Sequence, residues 1–319
     1  MADEADETEK ERKSVNFPDH RRNSHSEPEP DQSKCLGKTR SGWMQVSCFF
    51  FVYYVCVMSF FLGMLSIYFN NEDRFGPKYQ SGDGFLGTPG MNFRPRAKEG
   101  TLIYFTSDRS SYKSYIHSLQ LIMDEYLQSE ESFLESNDSA SFWKECSPDS
   151  YADSSRGCMV FGSNLTSTDC GQQNDYGFRE GRPCVLLRLN KVYGWKPDPY
   201  KSEDELDSDM SQNLARKIKS WPSSTGVGDL IWVECYGRTS ADKELLQLGV
   251  KYLPYDGWPV YYFPYLNQFR YLQPAIWVKF SNLEPYIGVF VICRAWAKNV
   301  SPDVHNSVGS VSFELLYEP

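Results

Sequence analysis

The chain has 319 residues, 40% of them hydrophobic and 15% aromatic, enough to bury one large core with appendages and too apolar for a chain disordered throughout. Its 33 Lys and Arg against 42 Asp and Glu leave a formal charge of −9. A net acidic chain lacks the basic face that nucleic acid requires, so nucleic acid is excluded as a partner.

Residues 1–42 are rich in Asp, Glu, Ser, Pro, Arg and Lys, with Phe17 and Leu36 almost the only large apolar side chains. Such a stretch cannot bury enough surface to fold and reads as a disordered cytosolic tail. Within it, Arg21-Arg22-Asn23-Ser24 has the pattern of a basophilic kinase site with Ser24 as acceptor, a pattern that a solvated tail also produces by chance.

From 46 to 69 the run VSCFFFVYYVCVMSFFLGMLSIYF carries no charge, and as a helix its 24 positions span about 36 Å, enough to cross a bilayer. About 45 mostly polar residues precede it, unlike a cleaved signal peptide, so residues 43–70 are predicted to form an uncleaved transmembrane signal anchor in membrane lipid. Lys34, Lys38 and Arg40 before the span, against Arg74 and Lys78 offset by Glu72 and Asp73 after it, favour a cytosolic N-terminus. The sequons at Asn137, Asn164 and Asn299 all follow the span, as do Cys146, Cys158, Cys170, Cys184, Cys235 and Cys293, whereas Cys35, Cys48 and Cys56 lie before or inside it. That division suits an extracellular part made through the endoplasmic reticulum, with up to three disulfides. Buried free thiols are the alternative, and six cysteines permit 15 pairings. Among the sequons Asn164 ranks first, since Pro302 after Ser301 disfavours Asn299.

Residues 71–100, rich in Gly and Pro, read as an extracellular stalk or linker. The match of Gly82-Asp83-Gly84-Phe85-Leu86-Gly87 to a dinucleotide fingerprint is rejected, because no strand pattern precedes it and Thr88-Pro89-Gly90 rather than a helix follows. In residues 101–319, Ile116, Leu119, Met123, Tyr126 and Leu127 at helical spacing predict an amphipathic helix over 114–136. A second helix is predicted over 203–220, beginning in Glu203-Asp204-Glu205 and carrying Arg216, Lys217 and Lys219 toward its end. Strands are predicted over 101–106, 184–189, 229–236, 259–263, 275–280, 289–296 and 308–317. In the last, Val311, Phe313 and Leu315 alternate with Ser310, Ser312 and Glu314, as on the face of a sandwich. The expected fold is mainly β, an immunoglobulin-like β-sandwich with an inserted amphipathic helix.

The four histidines form no ligand pair, and no nucleophile elbow, phosphate-binding loop or kinase signature occurs, so neither a resident cofactor nor catalysis is expected. Cys170-Gly171, then the run from Tyr176-Gly177-Phe178-Arg179-Glu180-Gly181-Arg182-Pro183-Cys184 through Tyr193-Gly194-Trp195-Lys196-Pro197, resembles the central signature of the sodium/potassium and proton/potassium ATPase beta subunits. Tyr261-Tyr262-Phe263-Pro264-Tyr265, Tyr271-Leu272-Gln273-Pro274-Ala275 and Val278-Lys279-Phe280-Ser281-Asn282-Leu283 are similar to a second family block, and the likeness runs from the membrane span to the end of the sequence. Two departures stand out: Glu284 removes a sequon common in the family, and Leu266-Asn267 follows Tyr265 where an aromatic and a glycine are usual.

The resemblance implies a non-catalytic subunit of a sodium/potassium pump at the plasma membrane, supporting the folding, delivery and potassium affinity of a catalytic alpha subunit, with a small single-span regulatory subunit as a further partner. It also implies the pairings Cys146 with Cys158, Cys170 with Cys184 and Cys235 with Cys293. Phe50, Tyr53, Tyr54 and Phe61 are the expected contacts with a partner's membrane helices, lipid-facing rings being the alternative. The competing readings are a proton/potassium pump subunit, a stand-alone adhesion ectodomain and, last, a glycan-processing enzyme of the same topology.

Overall fold

The structure, a computed structural model, describes residues 40–72, 87–97, 100–136, 141–201, 205–222, 226–246, 249–300 and 308–319. The tail reading of residues 1–39, Ser24, Asn137 and most of the rejected glycine fingerprint lie outside them. The chain divides into two units, Met1–Asn71 and Glu72–Pro319. The described residues of the first form the helix α1 (Arg40–Asn71), whose 32 residues extend about 48 Å. No residue between Arg40 and Glu72 is charged. Asn71 closes its last turn by donating from Nδ2 to the Ile67 carbonyl at 2.9 Å.

The second unit runs β1 (Met91–Arg94), β2 (Leu102–Thr106), α2 (Arg109–Glu135), β3 (Trp143–Lys144), β4 (Gly157–Cys158), α3 (Gly162–Thr166), β5 (Cys184–Leu189), α4 (Gln212–Ser220), β6 (Leu230–Gly237), α5 (Ser240–Leu246), β7 (Val250–Leu253), β8 (Gly257–Pro259), β9 (Ala275–Phe280), β10 (Val289–Trp296) and β11 (Ser310–Glu318). One sheet has the order β1-β5-β9-β7, the other β2-β11-β10-β6-β8, and β3 with β4 makes a two-stranded ribbon. The mainly-sheet domain behind one apolar helix is thus present. β2 pairs parallel with β11, which departs from the all-antiparallel sheets of an immunoglobulin domain.

The sheets meet through aromatic side chains. Phe313 of β11 is fully buried, with its ring 4.9 Å from Phe93 of β1 and 5.9 Å from Phe280 of β9. In β11 Val311, Phe313 and Leu315 point into the core and alternate with more exposed positions, the pattern of a strand with one wet face. Helix α2 buries Tyr112, Ile116, Leu119, Met123 and Tyr126, an unbroken three-and-four spacing. It lies against β1 and β2, the edge strands of different sheets, and so covers two open edges.

Local chemistry moves several expected boundaries. Helix α2 starts at Arg109 rather than 114 because the Asp108 carboxylate accepts from the Ser110 N–H. The second predicted helix is α4, starting at Gln212 behind a Ser211 cap that accepts from the Leu214 N–H. The acidic residues ahead of it serve as ion-pair partners instead: Glu205 meets Lys298 at 2.9 Å and Asp207 meets Arg294 at 3.7 Å. The strand expected over 259–263 ends at Pro259, which has no N–H to continue a ladder, and Val260–Tyr262 forms a 3₁₀ turn. Met91–Arg94 falls in the stretch read as linker and is an edge strand paired with β5.

Between α3 and β5 the backbone is left-handed at Asp175, Tyr176 and Gly177, with φ of 48°, 53° and 80°. Asp175, 3% exposed, accepts from Arg109 Nη2 at 2.9 Å and ties this turn to the start of α2. A Cβ at Gly177 would stand 2.0 Å from the Arg182 carbonyl oxygen. Gly177→Ala therefore combines backbone strain with a rigid clash. We expect it to remove about 3 kcal/mol of stability or more, read as a lowered thermal midpoint and intracellular retention of the full chain.

Candidate partner-binding and modification sites

Three disulfides brace the second unit. Cys146 is joined to Cys158 and Cys170 to Cys184, with Cα atoms 5.4 and 5.8 Å apart. Cys235 of β6 and Cys293 of β10 are directly opposite in an antiparallel pair, 4.0 Å between Cα atoms, and are joined across it. Cys48 and Cys56 are free thiols on α1. The Cys170–Cys184 bridge encloses the left-handed turn at Asp175–Gly177, so covalent and electrostatic restraints converge on the signature segment. Sequence reasoning misses Asp175, since nothing in its flanking residues separates it from the chain's many surface acids.

A second set of restraints is aromatic. Tyr126 of α2 donates to the Gln273 carbonyl at 2.6 Å and ties the helix to the loop before β9. Burial pushes its hydroxyl up to about 12, although Arg188 beside it pulls the other way. Burial also raises the hydroxyls of Tyr262 and Tyr271, and neighbouring tyrosines add to both shifts. Asp153, inside the Cys146–Cys158 loop, shows the opposite balance. Partial burial raises its carboxyl, but hydrogen bonds from the Ser155 hydroxyl, the Arg156 N–H and Lys144 hold it well below the usual carboxylate range.

The two described sequon asparagines differ. Asn164 is exposed on α3, and its carboxamide makes no hydrogen bond among the described residues. Asn299, also exposed, uses both ends of its carboxamide: Nδ2 donates to the Lys196 carbonyl at 2.7 Å and Oδ1 accepts from the Asp198 N–H at 3.0 Å. Ser301, the third residue of that sequon, lies outside the described residues.

A cavity of about 220 Å³ opens beside Asn164, and Trp258 lines it. That indole is fully buried, and its Nε1–H has no partner among the described residues. An unmet buried donor of this kind costs about 1–3 kcal/mol. No sequence signal marks the cavity, because chain segments far apart in order supply its walls.

On α1 the four expected contact residues are exposed, at 48% for Phe50, 51% for Tyr53, 60% for Tyr54 and 57% for Phe61. The 3.6-residue repeat puts all four within about 100° of arc, Phe61 lying about 16 Å beyond Phe50 along the axis. Phe50 stacks on Tyr54 with centroids 6.3 Å apart and Phe49 on Tyr53 at 6.5 Å, so the rings form two adjacent columns. Each column is an i,i+4 pair, which holds its rotamers without help from another chain.

These features define a class: a single-span membrane protein with one large, disulfide-braced, mainly-sheet domain. The family model described as sodium / potassium ATPase beta chain matches residues 24–313. The chain is 31% identical over 303 residues to the sodium/potassium-transporting ATPase subunit beta-1 of Drosophila melanogaster, covering 91% of this chain and 90% of that one. It is 31% identical over 288 residues to a probable sodium/potassium-transporting ATPase subunit beta-3 of Caenorhabditis briggsae, covering 89% and 82%. Against the human subunit beta-2 the identity is 24% over 303 residues, 90% of each chain. The chain belongs to the sodium/potassium ATPase beta-chain family.

Two outcomes follow from the restraints above. On loop-closure entropy, the Cys235–Cys293 bridge, separated by 58 residues, contributes about 4 kcal/mol, and the bridges of 12 and 14 residues about 3 each. Replacing both Cys235 and Cys293 by Ala should therefore lower the denaturant midpoint more than either of the other double replacements. For the tyrosines, the folded-state hydroxyls titrate above the unfolded value of about 10, so the stability they carry is complete below that pH and is lost as pH rises beyond it. Thermal melts between pH 8 and pH 11 should hold their midpoint up to about pH 10 and then fall, with most of the tyrosinate absorbance from these residues appearing on unfolding.

Proposed function

We propose that this chain is the non-catalytic beta subunit of a sodium/potassium-transporting P-type ATPase, held in the plasma membrane as a single-pass type II glycoprotein. The observation that carries this reading is the family match across residues 24–313, which takes in the apolar helix and nearly all of the domain behind it. Its partner is the catalytic alpha subunit, engaged in the membrane by the aromatic face of α1 and outside it by the sheet domain. Membrane lipid covers the rest of α1, and a small single-span regulatory subunit is a further candidate neighbour. Asn137, Asn164 and Asn299 are the proposed glycosylation sites, the three disulfides form in the same oxidising compartment, and Ser24 is the proposed phosphate acceptor on the cytosolic side.

The subunit acts through binding energy. Packing of rings against neighbouring helices, together with tyrosine hydroxyl hydrogen bonds, drives association inside the bilayer, where the hydrophobic effect between helices is absent. A subunit that grips the potassium-occluded and sodium-releasing states unequally alters potassium affinity by that difference, whereas equal grip leaves it unchanged. Folding, assembly and export of the alpha subunit follow from the same contacts.

Purification of the tagged chain from its native membranes in mild detergent tests this directly. A P-type ATPase chain in about 1:1 ratio with potassium-stimulated ATP hydrolysis is the expected result; a surface-expressed chain without that partner sinks the reading and favours adhesion. Tyr53→Leu with Tyr54→Leu should reduce the amount of alpha chain recovered, and unchanged recovery would remove these two rings from the contact.

A further inference from the structure

Among the described residues outside α1, tyrosine rings meet in three pairs: Tyr193 with Tyr265, Tyr265 with Tyr271 and Tyr261 with Tyr262, at centroid separations of 5.0, 4.9 and 4.7 Å. The pairs differ in access and in what a bond between them would tie together. Tyr271 and Tyr261 are buried. Tyr261 and Tyr262 are also neighbours in the chain, so a bond there would close no loop. Tyr193 and Tyr265 are both part-exposed and belong to distant segments, one following β5 and the other following β8.

The fold holds this pair in contact from the backbone upward. Tyr193 and Tyr265 face each other across an isolated parallel bridge, and the Gly194 N–H donates to the Tyr265 carbonyl at 2.8 Å. Next to the bridge, the Trp195 ring meets the Phe263 ring edge to face at 5.5 Å. The loop that carries Tyr265 is pinned by the buried side chain of Gln268. Its Nε2 donates to the carbonyls of Asp153 at 2.9 Å and Pro264 at 3.2 Å, and its Oε1 accepts from the Leu266 N–H at 2.8 Å. The two tyrosine rings are inclined at 58°, and their hydroxyls are hydrogen-bonded to each other. Tyr265 also donates to Asn267 Oδ1 at 3.2 Å. Because the hydroxyl-bearing ends of the rings meet, the carbons ortho to the hydroxyls are brought together, and those carbons carry much of the unpaired spin of a tyrosyl radical.

We propose that Tyr193 and Tyr265 form an oxidative modification site, at which hydrogen peroxide acting through a haem peroxidase joins the two rings as dityrosine. Each phenol gives up one hydrogen atom, and the two atoms reduce one peroxide to two waters. The two ortho carbons then bond, and the proton that each of them loses restores a hydroxyl. Holding both rings in contact turns an encounter between radicals into a step within one molecule, the advantage that proximity gives. The product ties the segment after β5 to the loop after β8, a connection that none of the three disulfides makes, and so adds a constraint on the unfolded chain. On the topology proposed above the oxidant is extracellular; the bond itself depends only on the fold.

The test uses the full chain purified with its partner in mild detergent and treated with hydrogen peroxide and a haem peroxidase. Mass mapping should find the peptides of Tyr193 and Tyr265 joined and two hydrogens lighter than their sum. The yield should be at least about tenfold above that of the chain oxidised after denaturation. Tyr193→Phe and Tyr265→Phe, each of which removes only a hydroxyl, should both abolish the joined product. Oxidation that dimerises free tyrosine added to the reaction but leaves Tyr193 and Tyr265 apart overturns the proposal, as does a yield no higher than that of the denatured chain. The thermal midpoint of the oxidised protein should stand about 5 °C above that of Tyr193→Phe oxidised in the same way. Equal midpoints with the joined peptides present overturn the bond as a staple. If no pump chain co-purifies, the reading of function fails, and the same treatment of the chain alone still decides whether the bond forms.

Discussion

The packing of Phe313 between two sheets is the contact on which the rest of the domain depends. Its ring touches Phe93 and Phe280, each from a different strand of the facing sheet. Its strand, β11, also separates β2 from β10 in its own sheet. Leu102 stands opposite Glu314, so β2 has no ladder until a strand more than two hundred positions later in the chain has arrived. Closing a loop of that length yields nothing until the last contact forms, which makes the fold slow and exposes strand edges while it waits. The Cys235–Cys293 bridge joins β6 to β10, the platform on which β11 adds. Its value therefore exceeds the entropy of its own loop, because it presents the partner edge that β11, and through β11 also β2, requires.

Ion pairs and caps at the domain's periphery follow the same logic of fixing entry points rather than adding bulk stability. Asp175 is buried and charged, and the Arg109 guanidinium that meets it is 66% exposed, so the pair keeps one foot in water and avoids the full desolvation cost of two ions. Its effect is positional: it registers the left-handed turn against the first residue of α2. Lys279 shows the mirror arrangement, with a buried ammonium in β9 reaching Asp169 at 3.1 Å on the exposed side. That pairing lets a lysine occupy a strand whose six positions are otherwise all buried and apolar.

Much of this architecture was legible because burial imposes a period. β5, β9 and β10 are rich in Val, Ile, Leu, Phe and Trp, and β11 alternates, so each could be placed from sequence with its boundaries close to those observed. β1, with four residues between Gly90 and Pro95, and β7, also of four, are too short to carry a period. The acidic run before α4 misled because charge near a helix start is common, while the real determinant was one serine hydroxyl at Ser211. The cysteine pairs were beyond spacing arguments altogether and required family likeness. The cavity at Trp258 was beyond even that, since its walls come from five separate stretches of chain and a missing hydrogen bond has no sequence pattern.

The two units place different demands on a partner. A helix with no charge over its whole interior and with its aromatic face exposed is complete in backbone hydrogen bonds but incomplete in side-chain contacts. The sheet domain is the reverse, with its own core, bridges and caps. Under the proposed function the membrane contact is then the adaptable one, since rings on a helix can repack at small cost, and the domain is the rigid one. Coupling to a pump cycle needs both. A rigid body transmits a difference between two states of its partner only where contact is lost in one of them, and a repacking face tolerates the change without letting go. On that proposal, an unequal grip on the pump's states would fall to the sheet domain, and a constant grip that keeps the complex together would fall to α1.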